Sequence, residues 1–280
     1  MRIAATSPTA PLLFAKGVIL VEGDAEMIII PTLIKKVFGV SLDELGVSLI
    51  NMSSSIFSNI AMLFGNERIE RKCAILTDLD ESFITLPDDS TTDNKVQSGC
   101  RASQESGLQR KAELDALCAS NAWISPFYAD YTFEVDFLMV GNEDEVTASL
   151  DTIYKQAAAK EKCKTKINSD EIEVWATEIL RLAESQGKGW FALLLAEQIK
   201  ANTRIPDYIL QAIAFSCRQT IDDKTIVQMI KYRCNRVHKD SPKRRKVRTM
   251  LSSGTPAQIR NEYIAQYPEV VLSKFIGMVR

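Results

Sequence analysis

The sequence predicts an α/β fold built on a mostly parallel sheet, with a helical insertion and a helical C-terminal region. Three observations lead there. Short apolar runs rich in β-branched residues recur at 18–21, 47–51 and 73–76, and the stretches between them place apolar residues at helical spacing. The connections between these runs are short, and a strand, helix, strand, helix, strand order of this kind belongs to a parallel sheet with helices on its faces. With 280 residues, 46% of them apolar, the chain has material for one large core or two smaller ones.

Residues 1–16, rich in Pro, Thr and Ala, read as a lead-in segment. The continuous apolar run Val18-Ile19-Leu20-Val21 reads as a buried strand that runs into a tight turn at Glu22-Gly23. Asp24 is placed to cap the helix that follows, where Ile29, Leu33 and Val37 alternate with Ile30, Ile34 and Phe38 until Gly39 closes it. A second strand at 47–51, a helix at 53–64 opened by a serine cluster, and a third strand at 73–76 follow, the last ending in Thr77-Asp78-Leu79-Asp80. Residues 81–106 hold almost nothing apolar after Leu86 and are expected to form a long mobile loop before a helix at about 108–119. A strand pair is expected at 122–128 and 132–138; on the second, Glu134 and Asp136 would share one face, because side chains alternate along a strand. Residues 141–186, polar and rich in Ala and Lys, read as a helical insertion. Gly187-Lys188-Gly189 interrupts that pattern and opens an apolar helix at 190–199. Residues 206–280 read as wholly helical, with a turn at Asp240-Ser241-Pro242. The organisation expected is thus a core at 17–140 and 187–205, an insertion at 141–186 and a basic helical region at 206–280.

Composition removes several classes of function. A single histidine, His238, argues against a Ser/His/Asp triad or a His-rich metal site, so catalysis must run on carboxylates, lysine, hydroxyls or metal. Six cysteines (Cys73, Cys100, Cys118, Cys163, Cys217, Cys234) form no CxxC pair and read as reduced thiols of a cytoplasmic protein. No apolar run approaches the roughly 18–20 residues of a membrane helix, and the start lacks the order of a signal peptide, so a soluble, non-membrane chain is expected. The formal charge of −2 conceals a polarity: residues 231–250 hold nine Lys or Arg against one Asp, which leaves the rest of the chain at −10. Any nucleic-acid contact should favour that C-terminal stretch.

Three places put acids where strands of an open sheet would end together: Glu22 with Glu26, Asp78 with Asp80, and Glu134 with Asp136. Such sheets bind ligands at that edge. Carboxylates crowded there repel one another unless a cation lies between them. Hard oxygen donors suit Mg²⁺ or Mn²⁺, and two such ions roughly 3.5–4 Å apart activate a water and stabilise a leaving oxygen in phosphodiester cleavage.

The run Val18-Ile19-Leu20-Val21-Glu22-Gly23-Asp24-Ala25-Glu26, with Leu76-Thr77-Asp78-Leu79-Asp80, resembles the TOPRIM domain of topoisomerases, bacterial primases and some nucleases. Two later motifs, Thr132-Phe133-Glu134-Val135-Asp136 and Gly187-Lys188-Gly189-Trp190-Phe191-Ala192 followed by Ile205-Pro206-Asp207-Tyr208-Ile209, make residues 10–212 similar to the C-terminal half of the OLD (overcoming lysogenization defect) nucleases. The resemblance implies a TOPRIM core with a helical insertion, two-metal DNA cleavage with Mg²⁺ or Mn²⁺, and an ATPase domain ahead of this region. It implies that Glu22, Asp78, Asp80 and Lys188 act in catalysis, with Glu22, Glu26, Asp78, Asp80, and Glu134 or Asp136 as metal ligands. The Lys188 ammonium would neutralise charge that develops at the scissile phosphate. The chain starts sixteen residues before its first strand and carries no phosphate-loop sequence, so it is expected to be either a fragment of a longer protein or a stand-alone product that works with an ATPase or helicase partner.

Beyond residue 212 the argument is physical. Lys243, Arg244, Arg245, Lys246 and Arg248 crowd five positive charges into six positions, which repel unless anions are near, and few aromatics interleave with them. A track for the DNA backbone is the functional expectation; a solvated helix face is the alternative. For the whole chain the first reading is a metal-dependent DNA endonuclease of the OLD type, serving phage defence or DNA processing. The rival reading is a catalytically idle TOPRIM scaffold that binds DNA and a partner ATPase or helicase. A primase- or topoisomerase-like enzyme ranks below both, because the third acid of a DxDxD is absent after Asp80.

Overall fold

The computed structural model describes residues 15–52 and 57–280. Four strands, β1 (Gly17–Val21), β2 (Val47–Asn51), β3 (Lys72–Asp78) and β4 (Ile124–Ala129), form one parallel sheet in the order β2-β1-β3-β4. Val18 lies beside Ser48 on one side and Cys73 on the other, and Cys73 beside Ile124. Because all four strands run the same way, their C-terminal ends share one edge.

Alternation along β1 and β3 divides the core. Ile19, Val21, Ala74 and Leu76 face a large cluster on one side; Val18, Leu20, Cys73 and Ile75 face a smaller one on the other. The larger side is covered by α1 (Asp24–Phe38), whose Ile29, Ile30, Leu33, Ile34, Val37 and Phe38 are all buried, and which ends at Gly39 with φ 78°. The smaller side receives α2 (Phe57–Ala61) and α3 (Lys95–Cys118) through Phe57, Ala61 and Leu114. The lead-in segment, up to residue 14, and the serine cluster at 53–56 lie outside the described residues.

After β4 the chain is helical. In order come α4 (Phe133–Met139), α5 (Glu143–Ile153), α6 (Ala157–Ile167), α7 (Ile172–Gln186), α8 (Lys188–Gln198), α9 (Asp207–Cys217), α10 (Asp223–Arg236), α11 (Pro242–Ser253), α12 (Pro256–Gln266) and α13 (Val271–Val279). Helix α8 packs on α1, and α9 lies on β1, β3 and β4. The contact with β1 is close enough to require Gly17, since a Cβ there would stand 2.0 Å from the Ser216 carbonyl oxygen. Ser216 Oγ donates to the Val18 carbonyl at 3.1 Å. The segment after residue 206 therefore begins as part of the sheet's covering layer. Helix α13 then closes the larger core, with Phe275 against Phe38 at 5.2 Å between ring centres.

Three expectations need correction. Residues 132–138 are a helix, not a strand: Phe133 through Leu138 are all buried, so the alternation of apolar and acidic residues reflected no exposed face. Residues 95–106 are not loop but the first half of α3, opened by a capping box in which Asn94 and Gln97 bind each other's backbone N–H. That half buries almost nothing, so no apolar period marked it. The connection before it is tied down by Arg101, which donates to Asp93 at 2.7 Å and to the Pro87 carbonyl. Asp24 does not cap α1; Gly23 holds the cap position, and the Asp24 carboxylate accepts from the Asn51 side chain at 2.7 Å. All six cysteines are free thiols, and among the described residues no helix is long and apolar enough to cross a membrane.

Candidate metal and phosphate site

Six carboxylates and one ammonium line a cavity of about 170 Å³ at the C-terminal edge of the sheet: Glu22, Asp24, Glu26, Asp78, Asp80, Glu134 and Lys188. Each comes from a position the fold fixes. Glu22 follows the last residue of β1, Asp78 ends β3 and Asp80 stands two residues beyond; Glu26 and Glu134 sit in the first turns of α1 and α4, and Lys188 is the first residue of α8. Four separated stretches of sequence thus meet at one edge, because β1 and β3 are parallel neighbours and α8 packs on α1.

Further contacts hold the acids in place. Thr77, buried in β3, donates its hydroxyl to Glu22 Oε2 at 2.8 Å. Asp80 has φ 54°, a left-handed conformation uncommon away from glycine. Its neighbours fix it: the Leu79, Asp80 and Glu81 N–H groups donate to the carbonyls of Ala129, Tyr131 and Asp130. Arg110 on α3 reaches both the Asp78 carbonyl at 2.6 Å and Asp80 Oδ2 at 3.2 Å. Lys188 Nζ stands 3.8 Å from Glu134 Oε2.

The electrostatics are those of a site crowded with like charge. Burial, then Glu134 and Glu22, pushes the Glu26 carboxyl up to about 7, against its own backbone hydrogen bond and Lys188. Burial, then Glu26 and Glu134, drives Asp78 well above the carboxylate range. Burial raises Asp80 as well, although Arg110 opposes it. For Lys188 burial pulls downward, but Glu134, Asp78, Glu26 and Asp80 outweigh it and hold the ammonium above its ordinary value.

Asp136 is not brought to this cavity. Two residues along a helix point in different directions, and its carboxylate turns to the backbone N–H groups of Tyr131 (3.0 Å) and Asp130 (3.3 Å), where it braces the turn between β4 and α4. Burial still raises it to about 6. It lines a neighbouring cavity of about 530 Å³ with Tyr208, whose hydroxyl is buried without a partner. Sequence reasoning missed Asp24, Thr77 and Arg110. Asp24 lies inside the Glu22–Glu26 motif and was the most visible of the three; Arg110, on a polar helix, carried no local signal.

The basic cluster is also apart from the cavity. Lys243, Arg244, Arg245, Lys246 and Arg248 all lie on α11, and none lines the acidic site. Arg244 is half-buried and the other four are exposed, while Val247 anchors the helix beneath them. Arg245 pairs with Asp240 at 3.0 Å at the surface. Cations at a helix N-terminus oppose the helix dipole, and an anion there would offset that cost.

Among the described residues no three acidic, cysteine or histidine side chains converge on one point as they stand. The fit to a metal therefore rests on the chemistry of the donor set. All donors are carboxylate oxygens, the type that Mg²⁺ and Mn²⁺ prefer. Burial and mutual repulsion raise the carboxyls of Glu26 and Asp78, a cost that a divalent cation would relieve.

Residues 13–80 match the family described as the overcoming lysogenization defect protein-like TOPRIM domain. The structure is similar to the C-terminal region of the Burkholderia pseudomallei OLD protein, at 24% identity over 73% of this chain and 98% of that one, with a TM-score of 0.53. It is also similar to the C-terminal region of the Xanthomonas campestris pv. campestris OLD protein, at 22% identity over 80% and 100% of the two chains, with a TM-score of 0.51. At this identity the likeness shows the fold, an OLD-type α/β arrangement. No curated protein sequence matches the chain.

Proposed function

We propose that this OLD-like TOPRIM chain is a nuclease that cleaves DNA phosphodiester bonds with Mg²⁺ or Mn²⁺, two ions to a site. The observation that carries the reading is the ring of six carboxylates with one lysine at the C-terminal edge of the sheet. Glu22, Glu26, Asp78, Asp80 and Glu134 would hold the metal, with Asp24 as a sixth oxygen donor. When bound, divalent ions supply charge neutralisation at the phosphate and lower the pKa of a coordinated water.

The chain's own residues do the rest. Thr77 fixes the rotamer of Glu22, and Arg110 fixes Asp80. Lys188 keeps its proton among its acidic neighbours and presents a positive charge where a phosphate oxygen becomes more negative. Asp136 acts one step back, by holding the turn that positions α4 and hence Glu134. The cations of α11 bind the DNA backbone. The partner is an ATPase domain or helicase, and the setting is phage defence or DNA processing.

The test is cleavage of supercoiled plasmid with Mg²⁺, Mn²⁺ or EDTA, comparing the native chain with Glu22→Ala and Lys188→Ala. Metal-dependent nicking lost in both variants is the expected result. No cutting with any metal while DNA binding persists would overturn the nuclease reading in favour of a scaffold.

A further inference from the structure

A second cavity, of about 410 Å³, opens where the α8–α9 connection, α10 and the start of α13 meet. Its volume lies in the range of small-molecule sites. Three cations line it, Arg204, Arg233 and Lys274, and among the described residues none of the three is in an ion pair. Arg233 is the informative one. It is 5% exposed, one terminal nitrogen donates to the carbonyls of Val37 (3.2 Å) and Ala201 (2.8 Å), and its Nε is buried with no partner. An arginine buried to this degree is normally matched by a carboxylate or another anion. Here it is in no ion pair, and two further cations, Arg204 and Lys274, line the same cavity.

The remaining lining narrows the ligand. Ile205, Leu210, Val270 and Val271 give an apolar wall, while Asp207 and Glu269 supply hydrogen-bond acceptors that are also outside any ion pair. A simple inorganic anion would use the cations and leave the apolar wall bare. A ligand with a phosphate at one end, a sugar hydroxyl and a flat apolar body uses all three surfaces: cations for phosphate, acids for hydroxyl, wall for base. We infer that this cavity binds a nucleoside phosphate monoester, with its phosphate against Arg204, Arg233 and Lys274. Two sources carry that chemistry, a free mononucleotide and the 5′-phosphorylated end of a DNA strand. The assignment is independent of cleavage at the acidic edge.

The experiment is isothermal titration of the full chain in EDTA with deoxyadenosine 5′-monophosphate, deoxyadenosine and inorganic phosphate. Arg204→Gln and Lys274→Gln are compared with the parent; both side chains are exposed, so the fold persists. The monophosphate should bind, deoxyadenosine should not, and each substitution should weaken binding about tenfold, the value of one charge-assisted contact. Lys162→Gln, exposed on α6, should leave affinity unchanged. A 5′-phosphorylated oligonucleotide that binds more tightly than its 5′-hydroxyl form identifies the strand end as the source; equal binding of the two, with the free monophosphate still bound, identifies the free nucleotide. No heat from the monophosphate beyond that of matched potassium chloride overturns the inference. Parent-like affinity in both Arg204→Gln and Lys274→Gln overturns it equally, by placing the binding elsewhere.

Discussion

Replacing Glu26 with Gln should stabilise the metal-free protein and remove part of its response to metal. Glu26 is 6% exposed, and burial among acids moves its pKa from 4.5 to about 7 on folding. The folded value lies above the unfolded one, so the carboxyl opposes folding wherever it must ionise. That cost is absent below about pH 4.5, grows through the window up to about 7, and is complete above it. At 1.36 kcal/mol per pKa unit the full penalty is about 3 kcal/mol at most, or roughly 6 °C in melting temperature for a chain of this size. Glutamine keeps the shape without the charge. In EDTA at pH 8 the variant should melt several degrees above the parent, and at pH 4.5 the two should coincide. Adding Mn²⁺ should reverse the order, because a cation that binds only the folded state raises stability in proportion to its affinity, and the variant has lost a ligand. Melting followed by circular dichroism across both pH values and both metal conditions is the assay. A Glu26→Gln protein no more stable than the parent in EDTA at pH 8 would refute the view that this edge is a site of uncompensated negative charge.

Three other outcomes follow. His238, the only histidine, stacks on Tyr267 at 3.8 Å, and burial, then Arg233 and Arg244, hold its imidazole down at about 4; its single ring resonance should titrate near 4 by NMR. Since the folded state favours the neutral ring, stability should be complete above pH 6.5 and fall as the pH drops from there towards 4. Gly17→Ala places a methyl group 2.0 Å from the Ser216 carbonyl oxygen and must part β1 from α9; urea denaturation should show a loss of about 3 kcal/mol or more. Converting Lys243, Arg244, Arg245 and Lys246 to Gln should weaken DNA binding and reduce the slope of log affinity against log salt by roughly three to four, at about 0.9 per phosphate contact. An unchanged slope would remove α11 from the DNA path.

How much of this was legible in the sequence depended on whether an element buries one face or all of itself. Strands β1 and β3 and helix α1 announced themselves, because an unbroken β-branched run and a 3.6-residue period each have few alternative structures. Helix α4 did not: it is buried all round, and Phe133-Glu134-Val135-Asp136-Phe137 mimics the period of a strand. The first half of α3 failed for the opposite reason, since a helix that buries only Gly107 and Leu114 over 24 residues leaves no apolar stripe. Its true signal was the cap, Asn94 with Gln97. In the site, the acids at strand ends could be read from the motif, because position after a strand fixes which edge a side chain reaches. The split between Glu134 and Asp136 could not, since it follows from the helix that the alternation concealed. Arg110 lies 30 residues from the Asp80 it holds, and no local pattern encodes such a pairing.

These details bear on why the acidic edge can exist at all. Acids that raise one another's pKa push their backbones apart, and a site on flexible loops would relax by moving them. Here each acid is fixed by something that has no share in the charge. Glu22 follows a strand in which all five residues are buried, and Glu26 stands on a helix with eight buried residues. Asp80 is locked by three backbone hydrogen bonds on either side of a left-handed residue, and Glu134 by a helix whose entry turn Asp136 clamps. Packing resists that relaxation: burying one Leu or Ile side chain contributes about 2 kcal/mol, and Ile29, Ile30, Leu33 and Ile34 of α1 alone bury four. The acids are therefore held on rigid elements at one edge, and a cation entering the cavity would have to draw their carboxylates together.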